Sequence, residues 1–393
     1  MDHLPIDITQ EILSNFPLKS LLEYRSVNKT WRANIDLYRS TCKLKKSAFL
    51  FLQSNSGKLF IAEEDQEFHF KSTRIGSPCP PNCSLFSPKP CNGGFLSFFS
   101  VDFEDNFCSY LYNPATGNYT KLPQFESSKL VDASVKPRRG VRTSSSILVP
   151  GVGVDYSTGE TKVVQMFTPV KLSSRNDHTE AQIHSLGSNS WRKMENVPGL
   201  ICFDGFSPVV NGSLHWLTNK KSILSFDLAM EKFGIVDLPP LSLFTMSTAP
   251  EFSQWNFRMM DLGGCLSISD SSYADHTEIW IMKHYNVKES WIKINVASQY
   301  AYEDVFKLKN VCPISVSNNG DLVLLYGSKI LVSYNIDSGT YTPFNVSGIL
   351  GYKFGYQTRY EVHPYVGYSM PRVLRPKNSM PQTCENPDPK VMK

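Results

Sequence analysis

Apolar and polar positions follow two different periods along this chain, and the change falls near residue 47. Between Leu4 and Leu37 the large apolar residues recur at three- and four-residue spacings. Pro5 suits the first turn of a helix, where its missing N–H costs nothing. Ile8, Ile12, Leu13 and Phe16 then make one apolar stripe, and Pro17 breaks that helix. Leu18, Leu21, Leu22 and the stem of Arg25 make a second stripe, closed by Val27. Asn28 is an N-cap for a third helix, KTWRANIDL, with Trp31 and Ile35 one turn apart. The pattern predicts three short helices.

Thirteen large apolar side chains fall within those forty residues: Leu4, Ile6, Ile8, Ile12, Leu13, Phe16, Leu18, Leu21, Leu22, Val27, Trp31, Ile35 and Leu37. Three helices of this length cannot hide all of them from water. Units below ~40 residues usually need a metal, a disulfide or a partner to fold. Two readings stand: the helical piece packs on the large domain that follows, or it docks into another protein's hydrophobic groove.

From Ser47 onward the helical period disappears. SAFLFLQ and GKLFIAEE flank Ser54-Asn55-Ser56-Gly57, which reads as a β-hairpin. A longer pattern then recurs. CNGGFLSFF, VNGSLHWLT, LGGCLSISD and NNGDLVLLY each place turn residues ahead of an apolar strand, and each is followed by a strand and a polar turn. GVGVDYSTGETKVVQMF is a divergent member. The marker glycines Gly94, Gly153, Gly212, Gly264 and Gly320 are spaced by 59, 59, 52 and 56 residues, close to the ~50-residue period of kelch-type propeller blades. A small antiparallel sheet with two apolar faces cannot stand alone, but arranged radially each sheet covers the next. Five marked units plus the Ser47–Phe70 strands predict about six blades. The aromatics near the unit ends (Tyr119, Trp191, Phe233, Trp291, Tyr341) are expected between adjacent blades. Strands around Tyr352–Tyr368 are expected to pair with the first and close the ring.

The expected organisation is a small all-α N-terminal unit over 1–45, a large all-β, propeller-like domain over 46–370, and a tail over 371–393. Five prolines in that tail (Pro371, Pro376, Pro381, Pro387, Pro389) predict disorder. SSKLVDASVKPRRGVRTSSS, with Lys136, Arg138, Arg139 and Arg142, reads as a solvated loop, with a nuclear-import signal or a substrate contact as alternatives.

Composition narrows the function classes. A net charge of +4 over 393 residues makes no case for nucleic acid as a partner. Asp2, Asp7 and Glu11 stand where a signal peptide needs basic and apolar runs, and no stretch approaches a membrane span. Nine scattered cysteines suit reduced thiols, and the expected location is cytoplasm, nucleus or both. No membrane partner is expected.

Catalytic motifs are wanting in the sequence: there is no HExxH, GxSxG or Walker-type loop. Cys79, Cys83 and Cys91 with His69 are the nearest approach to a zinc set, but lack a convincing second ligand pair. His184 and His215 read as hydrogen-bonded strand residues. His276 and His284 straddle the Trp280 strand, without an assignable carboxylate partner. Neither cofactor nor metal is expected, although paired carboxylates in a propeller channel would suit a hydrolase.

Two resemblances add what periodicity cannot. Leu4-Pro5, Ile8, Glu11-Ile12-Leu13, Pro17-Leu18-Lys19-Ser20-Leu21-Leu22, Arg25, Val27, Lys29, Trp31-Arg32 and Ile35 resemble the F-box. His3 departs from the acid often found before Leu-Pro. Cys91-Asn92-Gly93-Gly94, the Tyr112–Gly117 turn with Leu122-Pro123, Gly151-Val152-Gly153-Val154-Asp155 with Lys162-Val163-Val164, Ser190-Trp191-Arg192 and Asn211–Leu217 resemble the F-box-associated domain of plant F-box proteins, similar to the kelch-containing and S-locus groups. Tyr112 replaces a common Trp, and Val154 a common Tyr. The first resemblance implies binding to the Skp-type adaptor of a cullin–RING ubiquitin ligase through Leu4, Pro5, Ile8, Ile12, Leu13, Pro17, Leu18, Leu21, Leu22, Val27 and Trp31, some of which must instead hold the helices together. Together they imply a non-catalytic subunit that presents a target protein for ubiquitination. The alternatives are a propeller enzyme or scaffold whose N-terminal helices pack internally, and an F-box protein working outside any ligase.

Overall fold

The computed structural model describes residues 8, 9, 12 and 31, then 48–53, 58–66, 68–75, 84–90, 95–101, 107–114, 117–123, 146–155, 158–169, 180–195, 197, 207–218, 222–240, 257–273, 275–297, 300–302, 306–308, 311–317, 320–349 and 360–365. Ile8, Thr9, Ile12 and Trp31 are helical. The three-helix arrangement as a whole lies outside the described residues. From Ala48 onward the described elements are strands, apart from one 3-10 turn at Lys288–Ser290.

The strands form six blades. Blade 1 holds β1 (Ala48–Gln53), β2 (Leu59–Gln66) and β3 (His69–Ile75), and blade 2 holds β4 (Ser84–Pro90), β5 (Leu96–Val101), β6 (Phe107–Asn113) and β7 (Asn118–Lys121). Blade 3 holds β8 (Ser146–Val154), β9 (Thr161–Pro169), β10 (Glu180–Ser185) and β11 (Arg192–Met194). Blade 4 holds β12 (Val209–Val210), β13 (Ser213–Leu217), β14 (Ile223–Asp227) and β15 (Lys232–Val236). Blade 5 holds β16 (Phe257–Leu262), β17 (Cys265–Asp270), β18 (His276–Met282) and β19 (Trp291–Ala297). A separate hairpin, β20 (Tyr300–Tyr302) and β21 (Phe306–Leu308), precedes blade 6, which holds β22 (Val311–Val316), β23 (Leu322–Tyr326), β24 (Ile330–Tyr334) and β25 (Tyr341–Pro343). The chain then returns to blade 1 with β26 (Asn345–Ser347) and β27 (Tyr360–Pro364).

Why these sequences make blades follows from the two-residue period of a strand. Leu50 and Leu52 of β1 join a core with blade 2, while Phe49 and Phe51 join one with blade 6. In β18, Trp280 and Met282 face blade 4, and Ile279 and Ile281 face blade 6. In β23, Leu322, Leu324 and Tyr326 face blade 5, and Val323 and Leu325 face blade 1. Both faces are apolar because both are covered. The remaining clusters join blades 2 and 3 and blades 3 and 4, so every neighbouring pair shares a core and the ring closes. Each fully buried Leu, Val or Phe contributes about 1.5–3 kcal/mol.

Closure uses both edges of blade 1. Innermost strand β27 pairs antiparallel with β1, Val362 opposite Phe51, as the pattern around Tyr352–Tyr368 leads one to expect. The sequence does not foretell β26, which pairs parallel with β3 on the opposite edge. Asn345 N–H donates to Phe68 O (2.8 Å), and Ser72 Oγ donates to Ser347 O (2.6 Å). Phe344 meets Phe70 edge-on at 5.1 Å.

Two sequence expectations need correction. Gly212, Gly264 and Gly320 do close the first-to-second-strand turns of their blades, at φ +73, +82 and +95. Gly153 does not: it lies inside β8, where a Cβ would meet Leu228 Cδ1 of blade 4 at 2.5 Å. It is a close-approach glycine, and Gly159 (φ +74) serves the turn instead. Gly94 is outside the described residues. Among the aromatics, Trp191, Phe233, Trp291 and Tyr341 pack against inter-blade cores. Trp191 Nε1 donates to Pro123 O of the preceding blade (2.7 Å), and Trp291 Nε1 to Asp237 O (3.2 Å). Tyr119 is 47% exposed and meets Tyr110 of its own blade edge-on, with ring centroids 6.2 Å apart.

Candidate functional site

Strand direction sorts the connections onto two rims. First-to-second and third-to-fourth turns of every blade share one rim, while second-to-third turns and blade-to-blade connections share the other. Blade 1 counts from β27, so β1 is its second strand and begins at the first rim. Residues 1–47 therefore join the ring there. Tyr365, following β27, donates its N–H to Ala48 O at 2.8 Å, so both ends of the ring domain leave it side by side. We call this the module rim and the opposite one the distal rim.

The module rim is built of tight turns. Asn211-Gly212 and Gly263-Gly264 are two-residue hairpins with both residues at positive φ, the conformation an Asn-Gly or Gly-Gly pair favours. Asp227 Oδ1 accepts from Ala229 and Met230 N–H, and Asn335 Oδ1 from Ser338 N–H. The strand ends joined by the longer connections, such as Lys121 to Ser146 and Val236 to Phe257, lie on the distal rim.

Of the residues expected to bind an adaptor, Ile8 is 45% exposed on a helix whose next residue, Thr9, is buried. Ile12, one turn on, and Trp31 are half-buried. Leu4, Pro5, Leu13, Pro17, Leu18, Leu21, Leu22 and Val27 lie outside the described residues.

One charged network joins two blades. Lys162 of β9 is buried; its Nζ reaches Asp155 Oδ2 (2.9 Å), Leu228 O of blade 4 (2.6 Å) and Glu231 Oε1 (3.0 Å). Arg192 pairs with Glu231 through both oxygens, at 2.9 and 2.7 Å. Burial works against the Lys162 ammonium, but its hydrogen bonds to Asp155 and Glu231 outweigh that and hold its pKa above the ordinary lysine range. Burial likewise opposes Glu231, and Arg192 and Lys162 overcome it and hold the carboxyl below its usual range. The Asp155 and Lys162 of the quoted sequence motif are thus partners. Nearer the axis, Arg258 of β16 donates to Cys312 Sγ of β22, tying blade 5 to blade 6.

The histidines are mostly structural. His215 is fully buried, and burial pushes its pKa down to about 4. Its Nδ1 lies 3.3 Å from Pro208 O and its Nε2 2.8 Å from Tyr285 Oη of blade 5. A carbonyl only accepts, so Nδ1 carries the proton and Nε2 accepts from the phenol. His184 Nδ1 lies 3.1 Å from Ser190 O, and its ring tilts on Trp191. His276 does have a carboxylate partner: Asp275 Oδ1 at 2.7 Å, with Glu278 Oε1 at 3.9 Å. Adjacency in sequence was the available signal. His69 is exposed on β3, and Cys79, Cys83 and Cys91 lie outside the described residues. Among the described residues no His/Cys/Asp/Glu group could hold a metal ion.

A closed ring of six antiparallel blades, five of four strands and one of five, is a β-propeller. Residues 46–369 match the F-box associated beta propeller domain and residues 1–43 the F-box domain, and the chain belongs to this family of F-box proteins. It is 25% identical to F-box protein At3g07870 of Arabidopsis thaliana, over 89% of each chain. It is also 25% identical to F-box/kelch-repeat protein At3g23880 of the same plant, over 86% of this chain and 89% of that one. TolB from Acinetobacter baumannii aligns at a TM-score of 0.42 with 13% identity, covering 81% of this chain and 65% of TolB, too distant to bear on function.

Proposed function

We propose that this protein is the substrate-recognition subunit of an SCF-type (Skp–cullin–F-box) ubiquitin ligase. The observation that carries the reading is the order of parts: an F-box match over residues 1–43 directly ahead of a closed propeller. The F-box, as three short helices within 1–45, holds a Skp-type adaptor through Leu4, Pro5, Ile8, Ile12, Leu13, Pro17, Leu18, Leu21, Leu22, Val27 and Trp31. The exposure of Ile8 supports this. The propeller, within 46–370, presents a target protein, and 371–393 follows as a tail. No residue of this chain touches the reacting thioester; tethering raises the target's effective concentration near a ubiquitin-charged enzyme. The chain acts without catalysis of its own, in the cytoplasm, the nucleus or both.

Co-expression with a Skp-type adaptor tests the reading. The wild-type chain is expected to co-purify with it, and a variant with Leu4→Asp and Pro5→Asp is expected to lose it while its propeller melts as before. Retention of the adaptor by that variant would refute the mapping; no co-purification of the wild type would refute the ligase role.

A further inference from the structure

We propose that the outer edge of blade 1 is a strand-acceptor site, held in the free protein by the chain's own β26 and taken over by a partner's extended segment of the same pattern.

The first observation is that β26 is surplus to the ring. β27, β1, β2 and β3 already give blade 1 four strands, and β26 adds a fifth on the outer edge. No other described blade has one. The inner ladder, β27 with β1, is antiparallel and five positions long. The outer ladder is parallel and three positions long: Asn345 opposite His69, Val346 opposite Phe70 and Ser347 opposite Lys71. A parallel ladder is also the slightly weaker kind per residue. Residues 344–349 thus form a strap, and its release leaves blade 1 with the four strands of its neighbours.

A second observation is that the edge holds this strap as a peptide site holds a ligand. Main-chain atoms fix its position: Asn345 N–H donates to Phe68 O (2.8 Å), and Ser72 Oγ to Ser347 O (2.6 Å). Ser347 Oγ donates in turn to Phe70 O (3.2 Å). Phe344, Val346 and Ile349 are buried, while Asn345 and Ser347 stay exposed. The Phe344 ring lies 5.1 Å from Phe70, 5.7 Å from Phe68 and 6.3 Å from Phe49. Gly348 has φ +85, and a Cβ there would meet Ser72 O at 2.8 Å, so glycine is required. Backbone pairing combined with pockets for alternate side chains is how an open sheet edge takes an extended peptide.

The strap's own sequence defines the occupant. Phe344-Asn345-Val346-Ser347-Gly348-Ile349 calls for an aromatic residue, a branched one two places on, then Gly and a branched apolar residue. The places of Asn345 and Ser347 are free to vary. Being covalently attached, the strap competes at high effective concentration, so a partner enters when the strap opens.

Two measurements on the full chain test this. Under native conditions the amides of 344–349 are expected to exchange with deuterium at least about tenfold faster than those of 360–364. A common rate would overturn the proposal. A labelled peptide of residues 342–350, TPFNVSGIL, is then titrated into wild type, into Gly348→Val and into Val346→Asp. Both variants loosen the strap and leave β27 untouched. They should keep a cooperative melt and bind the peptide at least about tenfold more tightly than wild type. A control peptide carrying Phe344→Asp and Val346→Asp should bind none of the three. Cooperative melts without peptide binding, or equal binding of the control peptide, would overturn the proposal. So would loss of the cooperative melt in both variants, because the strap would then be part of the ring's closure.

Discussion

Lys162 shows how one side chain can hold two blades. It is charged, buried and shared between Asp155, Glu231 and a carbonyl of the next blade. Removing one partner from such a set leaves an uncompensated buried charge, which costs about 3–5 kcal/mol. Lys162→Ala is expected to lower stability by that amount in denaturant unfolding. The double variant Lys162→Met with Asp155→Leu should recover most of it, since neither charge is then stranded. Asp261 works in the opposite sense. Burial pushes its carboxyl up to about 6, against a hydrogen bond from Gly264 N–H. The folded state keeps a proton that the unfolded chain has released, so this group costs stability as pH rises from about 4 through 6. Asp261→Asn keeps an acceptor for Gly264 and should gain about 1–3 kcal/mol at pH 7. That gain should vanish near pH 4 when melts are compared across the range. Both residues stood in plain view in the sequence, but their partners did not. Lys162 meets Leu228, 66 positions away, and no local pattern registers a contact of that separation. For the same reason Gly153 passed for a turn glycine, when what it serves is Leu228 lying against it.

At the level of elements, the strands were legible and their neighbours only partly so. A run such as LVLLY, apolar at every position, identifies a strand covered on both faces. The closing strand was legible too, because VHPY is a strand-like run with no partner nearby in sequence. β26 was not, since three residues, NVS, carry no period. Tyr119 fails as an inter-blade aromatic because β7 is exposed along its whole length. β26 and β27 with the residues around them supply Phe344, Val346, Ile349, Tyr360 and Val362 to the core between blades 6 and 1. At about 1.5–3 kcal/mol each, their combined burial rivals the 5–15 kcal/mol that holds an ordinary domain together. A chain ending after Pro343 is therefore expected to lose its cooperative thermal transition. A sharp melt within a few degrees of the full chain would show that the ring does not depend on this closure.

Across the whole molecule, the two rims are built differently. The chain enters the ring at Ala48, beside the last strand, at one rim, and the second-to-third strand turns lie at the other. That a β ring begins after a distinct N-terminal piece could be read from the change of period near residue 47, and the F-box and propeller matches meet there. A target for the proposed ligase role could not, because such contacts would sit on connections whose sequences obey no period. The account rests on an apolar surface in the first forty residues that belongs to a partner. Direct titration of a purified Skp-type adaptor into the full chain, wild type against Leu21→Asp with Leu22→Asp, tests it most simply. The account expects saturable binding by the wild type, at least a hundredfold loss in the variant, about 2.7 kcal/mol, and the same propeller melting temperature in both. Equal binding by the two proteins would contradict it.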